Sequence, residues 1–204
     1  MFLRIITFLL TISNVFCDLT LSQVYFVILS QTHPRHVKIG NETKWKLEQA
    51  LRQNEVSEPF KILALHESSV KGGWTLFPLL PVILESSNED VKWFLFLSES
   101  TEIEGENFNK MISSWNPEEE LFIGRAIVTH GDPEVPYPDL RSGFAISRKL
   151  AQHLFSEWQE NRNLIKETTL DASYQFAKAI SFLDKGPLLQ HDSQFCTSFQ
   201  QGNF

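Results

Sequence analysis

Residues 91–97 have the sequence VKWFLFL, and this stretch decides the fold. Every residue in it except one lysine is apolar, which is typical of a strand buried on both faces of a sheet. Comparable apolar runs occupy residues 24–29 (VYFVIL), 60–66 (FKILALH) and 121–128 (LFIGRAIV). A strand covered on both faces belongs to a sheet that has helices above and below it.

Helical patterns separate these strands. Apolar residues recur at helical spacing after the first strand, after the third strand and near the end of the chain. Asn41 or Thr43 is the candidate N-cap of the first helix, and Ser147 of a later one. Residues 131–138 are rich in proline and predict a loop, and the segment after Gly186 predicts an irregular tail. The alternation predicts an α/β fold with a mainly parallel sheet and helices on both faces.

The composition and charge of the chain exclude some classes of binding partner. The 204 residues are 42% hydrophobic and 21% charged, and 17 Phe and five Trp supply material for the core of a single domain. The formal net charge is −7, and the sequence has no cluster of Lys and Arg. Phosphate groups and anionic lipids are bound by such clusters, so nucleic acid and charged membrane surfaces are not expected as partners.

Residues 1–17 have the pattern of a secretory signal peptide. Arg4 precedes an apolar run over residues 5–12, and Val15 and Cys17 occupy the positions that a signal peptidase recognises. The run is shorter than the about 20 residues that a membrane-spanning helix needs. A signal anchor and a buried amino-terminal strand are the alternatives. Cleavage would leave residues 18–204 as the mature domain.

Two further features fit the endoplasmic reticulum lumen or another part of the secretory pathway. Asn41-Glu42-Thr43 is a glycosylation sequon, so we expect a glycan on Asn41, in the loop between the first strand and its helix. If Cys17 leaves with the signal, Cys196 remains as an odd thiol, which suggests a partner in a longer chain. With a signal anchor, the location would instead be the membrane.

The third strand leads into the candidate site. Ligands of such sheets bind outside the carboxyl ends of the strands, and this strand continues into Ser98-Glu99-Ser100-Thr101. Five stretches, in this order, resemble the fringe-like glycosyltransferases. They are residues 72–80 (GGWTLFPLL), 93–101 (WFLFLSEST), 121–126 (LFIGRA), 137–147 (YPDLRSGFAIS) and 187–196 (PLLQHDSQFC).

The resemblance covers about residues 21–199 and is strongest to the β-1,3-glucosyltransferase branch of that family. This branch extends O-linked fucose on thrombospondin type 1 repeats, and its members carry two modules in tandem. The first module is degenerate at its metal motif and the second is intact. The resemblance implies a nucleotide-sugar-transferase fold of the GT-A type, a UDP-sugar donor and Mn²⁺ in the active members. This chain resembles the first module, and the second would follow it.

The departures from the family pattern concern the site itself. Active members carry an Asp-rich triplet where this chain has Ser98, Glu99 and Ser100. One carboxylate between two neutral hydroxyls is a poor ligand set for a divalent cation, so no metal is expected. Gly143 is the remainder of a glycine-rich stretch, and with residues 98–100 it forms the predicted remnant of a donor pocket. Asp171 is the candidate general base; its alternative interpretation is an exposed Asp at a helix start.

Three functions follow from these patterns. The first is a non-catalytic fringe-like module that helps a β-1,3-glucosyltransferase-type protein to fold or to hold its substrate. Its partners would be thrombospondin-type repeat proteins or a catalytic glycosyltransferase module, bound near Trp74 and residues 131–141. The second is an active hexosyltransferase, and the third is a secreted lectin-like or structural domain. The degenerate triplet favours the first over the second, and the ordered motifs disfavour the third.

Overall fold

The computed structural model describes residues 21–54, 56, 59–70, 75–101, 105–160 and 171–196. The strands are β1 (Val24–Leu29), β2 (Ile62–Ala64), β3 (Trp93–Ser98), β4 (Phe122–Gly124), β5 (Ala126–Thr129), β6 (Asp132–Pro138), β7 (Phe144–Ser147) and β8 (Gln190–His191). The helices are α1 (Pro34–Gln53), α2 (Leu79–Ser86), α3 (Gly105–Ser113), α4 (Arg148–Glu160) and α5 (Ala172–Ser181). The predicted signal peptide and Trp74 lie outside the described residues.

The main sheet has the strand order β2-β1-β3-β7-β4-β8. Strands β2, β1 and β3 run parallel to one another, and β8 runs parallel to β4. Strand β7 is antiparallel to both of its neighbours, β3 and β4. Strands β5 and β6 form a separate antiparallel hairpin. The predicted α/β class is therefore confirmed, and β7 is the strand that makes the sheet mixed.

Each face of the sheet has its own core, because successive side chains of a strand point to opposite faces. Phe94 and Phe96 of β3 pack against α2, α4 and α5. Trp93, Leu95 and Leu97 of the same strand pack against α1 and α3. All five side chains are almost fully buried. The continuous apolar run VKWFLFL thus supplies both cores, and the prediction of helices on both faces is confirmed.

The core on the α5 side is aromatic. The ring centroid of Phe176, on α5, lies 5.4 Å from that of Phe77, 6.0 Å from that of Phe122 and 5.9 Å from that of Phe144. Phe96 and Phe144, on adjacent strands, stack with centroids 4.7 Å apart. Phe176 is therefore the side chain through which α5 joins several strands.

Two predictions about α1 are wrong, the start of the helix and the position of the sequon. The helix begins at Pro34 and not at Asn41 or Thr43, because proline fits the first position of a helix. His33 precedes it, and its Nδ1 accepts a hydrogen bond from the Arg35 backbone N–H at 3.4 Å. The sequon consequently lies within α1 and not in a loop.

Three predictions in the second half of the chain are also wrong. Residues 121–128 are two strands, β4 and β5, which separate at Arg125 and belong to different sheets. Residues 131–138 are not a loop, since most of them form β6 of the hairpin. The tail after Gly186 adds β8 to the sheet as an edge strand beside β4.

Among the helices of the described residues, none combines the length and the apolar character that a membrane span requires.

Candidate functional site

The Ser98-Glu99-Ser100 segment lies where the sequence predicts it, at the carboxyl end of the parallel strands. Ser98 is the last residue of β3 and pairs with Leu29, the last residue of β1. The chain then turns, and the Thr101 N–H donates to the Ser98 carbonyl at 3.1 Å. The segment therefore occupies the edge at which such sheets bind ligands.

Helix α1 engages Glu99 through both its side chain and its backbone. Glu99 Oε1 forms a short contact with His36 Nδ1, and the Thr43 hydroxyl donates to the Glu99 carbonyl oxygen. His36 and Thr43 lie two turns apart on one face of α1. The Glu99 side chain is only 15% exposed, and its Oε2 is buried with no hydrogen-bond partner among the described residues. The carboxylate thus takes part in the packing of α1 on the sheet.

The two serines face each other. The Oγ atoms of Ser98 and Ser100 are 3.3 Å apart, and the Ser100 N–H donates to Ser98 Oγ at 3.5 Å. The two hydroxyls therefore bond to each other at the position where the family resemblance implies carboxylates in active members.

This donor set does not fit a divalent cation. Mg²⁺ and Mn²⁺ are held by several oxygens, of which anionic carboxylates contribute most of the affinity. Here the one carboxylate of the segment, Glu99, is already bonded to an imidazole. Glu102 and Glu104, the nearby acids, lie outside the described residues. In the described part of the chain no group of three or more His, Cys, Asp or Glu residues is placed to hold a metal.

The structure brings Gly143 next to the same strand. Its φ is +75°, a conformation that glycine adopts without strain, and a Cβ at this position would lie 2.9 Å from the Phe96 carbonyl oxygen. The turn is tied to the segment after β3, because the Thr101 hydroxyl donates to the Arg141 carbonyl at 3.2 Å. The predicted remnant, residues 98–100 with Gly143, is therefore assembled at one place.

We expect Gly143→Ala to lower the free energy of unfolding by about 2–4 kcal/mol, which combines the left-handed strain with the displacement of β3. Urea denaturation followed by circular dichroism measures this loss. Gly131→Ala is the matched control, since its Cβ would meet nothing closer than 3.5 Å. An equal loss in the two variants would contradict the proposed close approach.

An ion pair that sequence reasoning missed supports this turn. The Asp139 carboxylate accepts hydrogen bonds from the Arg141 backbone N–H, Nε and Nη2, each at 3.1 Å. Burial of Asp139 opposes its ionisation, but the hydrogen bonds from Arg141 outweigh that effect and hold the pKa of Asp139 below its ordinary value. The D-x-R spacing within YPDLRSG was the available signal. The pair fixes the residues that lead to Gly143.

Asp171 is the N-cap of α5. Its Oδ1 accepts from the Ser173 and Tyr174 backbone N–H groups at 3.0 and 3.2 Å and from the Ser173 hydroxyl at 2.6 Å. This placement is the alternative interpretation, an Asp at a helix start. Burial, followed by the negative charges of Asp171 and Asp139, raises the pKa of Tyr137, a residue of β6 in the hairpin. A role for Asp171 as a general base stays a prediction.

A second group of hydrogen-bonded polar side chains lies past the carboxyl ends of β1 and β2. Ser30 Oγ lies 2.6 Å from His66 Nδ1, and His66 Nε2 lies 2.9 Å from Asn41 Oδ1. An amide oxygen can only accept, so the His66 ring donates to Asn41 through Nε2. Gly40 permits the close approach, since a Cβ there would lie 2.9 Å from Ser30 Cβ. Ser30 is buried, and these hydrogen bonds join α1 to the sheet.

The sequence comparisons support a glycosyltransferase-like domain on this α/β fold. The chain is 30% identical over 198 residues to the β-1,3-glucosyltransferase of Mus musculus and 29% identical over 195 residues to that of Homo sapiens. These matches cover 88% and 89% of this chain but 39% of each relative, so the chain spans about two fifths of their length. The resemblance to the β-1,3-glucosyltransferases is thereby confirmed.

Two other comparisons add less. No protein-family model matches the chain. Among solved structures, 4-diphosphocytidyl-2C-methyl-D-erythritol synthase from Anaerococcus prevotii matches with a TM-score of 0.46 and 12% identity. That match covers 84% of this chain and 89% of the other.

Proposed function

We propose that this chain is a non-catalytic, fringe-like module of a β-1,3-glucosyltransferase-type protein that extends O-linked fucose on thrombospondin type 1 repeats. The observation that carries the proposal is the state of Glu99. Its carboxylate is bonded to His36 of α1, and its neighbours are two serines bonded to each other. Such a module keeps the scaffold of a nucleotide-sugar site, while the Glu99 carboxylate helps to hold α1 on the sheet.

The module's task would be to hold a partner. The partner is a thrombospondin-type repeat or a catalytic glycosyltransferase module, and a UDP-sugar would be bound without transfer. The hairpin that includes residues 131–138 supports a holding role because hydrogen bonds attach it to α5. Asp132 Oδ2 accepts from the Tyr174 hydroxyl at 2.8 Å and from Lys178. The hydrogen bond from Lys178 and, to a lesser degree, that from Tyr174 hold the pKa of Asp132 below its usual range.

The compartment we propose is the lumen of the secretory pathway. It rests on the signal-peptide pattern of residues 1–17 and on the sequon at Asn41. Asn41 is exposed on α1, and Cys196 is an exposed free thiol in the described part of the chain. In an oxidising lumen an exposed thiol of this kind forms a disulfide with any cysteine within reach.

The proposal predicts the response to Mn²⁺. The unmodified chain is expected to show no Mn²⁺ site by calorimetry, whereas Ser98→Asp combined with Ser100→Asp should create one with a Kd on the order of 10⁻⁴ M, because charge count sets affinity. The matched control is Ser98→Asn with Ser100→Asn, which has similar volume without the charge. A site of that affinity in the unmodified chain would favour an active hexosyltransferase instead.

A further inference from the structure

The outer face of α1 carries an open, mainly apolar groove of about 710 Å³. Pro34, Val37 and Trp45 supply its apolar lining, and Lys38, Asn41 and Glu42 its polar part. The groove is a shallow surface feature and not an enclosed cavity. Trp45 is 62% exposed, although so large an aromatic side chain is ordinarily well covered. The groove therefore has a surface that a ligand of modest size would cover.

Asn41, which lines this groove, is held in one orientation. Its Oδ1 accepts from His66 Nε2, and the amide nitrogen Nδ2 takes no part in this contact. Nδ2 is the atom to which an N-linked glycan is attached. Thr43, the third residue of the sequon, is buried beneath the helix and donates to Glu99. The sugar would be added to the extended chain before folding, and the folded contact of Asn41 tolerates it.

Trp45 lies one helical turn beyond Asn41. Residues four apart are neighbours on a helix surface, so a sugar on Asn41 Nδ2 starts beside the indole ring. The apolar C–H face of a pyranose can lie on the flat face of an indole, which has a partial negative charge. Lys38 and Glu42, whose charged atoms are 4.0 Å apart, flank the same groove and can hydrogen-bond to sugar hydroxyls.

We infer that the groove on α1 is occupied by the chain's own N-linked glycan, with its first N-acetylglucosamine packed on Trp45. The inference rests on the proposed lumenal compartment. The covalent link fixes the occupant, because the residue that carries the glycan is itself part of the lining. The glycan then closes this apolar face against partner proteins and stabilises α1.

The test uses the full chain secreted from cultured animal cells. One portion keeps its glycan, a second is trimmed by an endoglycosidase to a single N-acetylglucosamine, and a third is stripped by an amidase. Oxidation of Trp45 by hydroxyl radicals is measured by peptide mass spectrometry, with Trp158 as internal reference. Trp45 should be protected in the first two portions and oxidised several-fold faster in the third.

Thermal unfolding gives a second measurement. The amidase leaves an aspartate at position 41 in every stripped protein, so the comparison is made between two sequences. Stripping should lower Tm by about 2–4 °C more in the natural sequence than in Trp45→Ala, the shift expected for one aromatic contact in a domain of this size. Failure of the chain to enter the secretory pathway would overturn the compartment, whereas secreted protein without a glycan on Asn41 would overturn the inference alone. A glycan on Asn41 with equal oxidation of Trp45 in all three portions would overturn the packing alone.

Discussion

The purified chain is expected to transfer no glucose from UDP-glucose to thrombospondin type 1 repeats that carry O-linked fucose. Transfer needs a cation or a cationic clamp for the leaving diphosphate and a base for the acceptor hydroxyl. In this chain Glu99 is bonded to His36 and Asp171 caps α5. Loss of one such positioned charge costs about 10²–10³ in rate, so losing both is expected to abolish useful turnover.

The assay measures radiolabelled glucose on the repeat and, separately, binding of the repeat to the immobilised chain. Binding without turnover is the result we expect. Turnover that disappears in both Glu99→Gln and Asp171→Asn would show a true enzyme and would refute the proposal. Absence of both turnover and binding would refute the holding role while leaving the non-catalytic assignment in place.

Phe176→Ala should be the most destabilising single truncation of α5. The ring is fully buried and contacts Phe77, Phe122 and Phe144 across the core. Removing a buried phenylalanine leaves a cavity and costs about 3–5 kcal/mol. Urea denaturation should show a lower midpoint with an unchanged slope, since the unfolded chain exposes nearly the same surface.

Phe182 provides the matched control for that truncation. It follows the same helix but is 61% exposed, with the Lys178 ammonium 5.6 Å from its ring centroid. Phe182→Ala should cost no more than about 1 kcal/mol, because only an exposed cation–π contact is lost. Similar losses in the two variants would mean that the aromatic core does not depend on α5.

Local signals were sufficient for the central strands and for some caps. The apolar run around β3 predicts a doubly covered strand because both of its faces are apolar. Ser147 predicts the start of α4, and its Oγ does accept from the Leu150 N–H at 3.2 Å. That same oxygen accepts from the Leu121 N–H at 3.0 Å, a contact 26 residues away that no local pattern contains.

The elements that sequence reasoning missed depend on distant partners. Strand β8 has two residues and exists because β4 offers an open edge. Strand β6 carries three prolines that predict a loop, yet pairing with β5 and the contact of Asp132 with α5 hold it extended. Isolated segments give no indication of such pairings, so pattern alone assigns them to loops.

The candidate site divides in the same way. The residue types at positions 98–100 were enough to predict a poor metal motif, since a neutral hydroxyl in place of a carboxylate is visible in the sequence. The partner of Glu99 was not predictable, because His36 is 63 residues away and lies in a segment whose helix was predicted to begin later.

The contacts of Glu99 with α1 also bear on how any cation would act on this molecule. A ligand that draws the Glu99 carboxylate outward must first detach it from His36, so the measured affinity is the intrinsic affinity multiplied by the small fraction of molecules already detached. Detachment therefore weakens binding without reversing its effect on folding, because a ligand that binds only the folded chain still stabilises it against unfolding. In such a molecule a cation would loosen the attachment of α1 to the segment after β3, and a chelator would restore it.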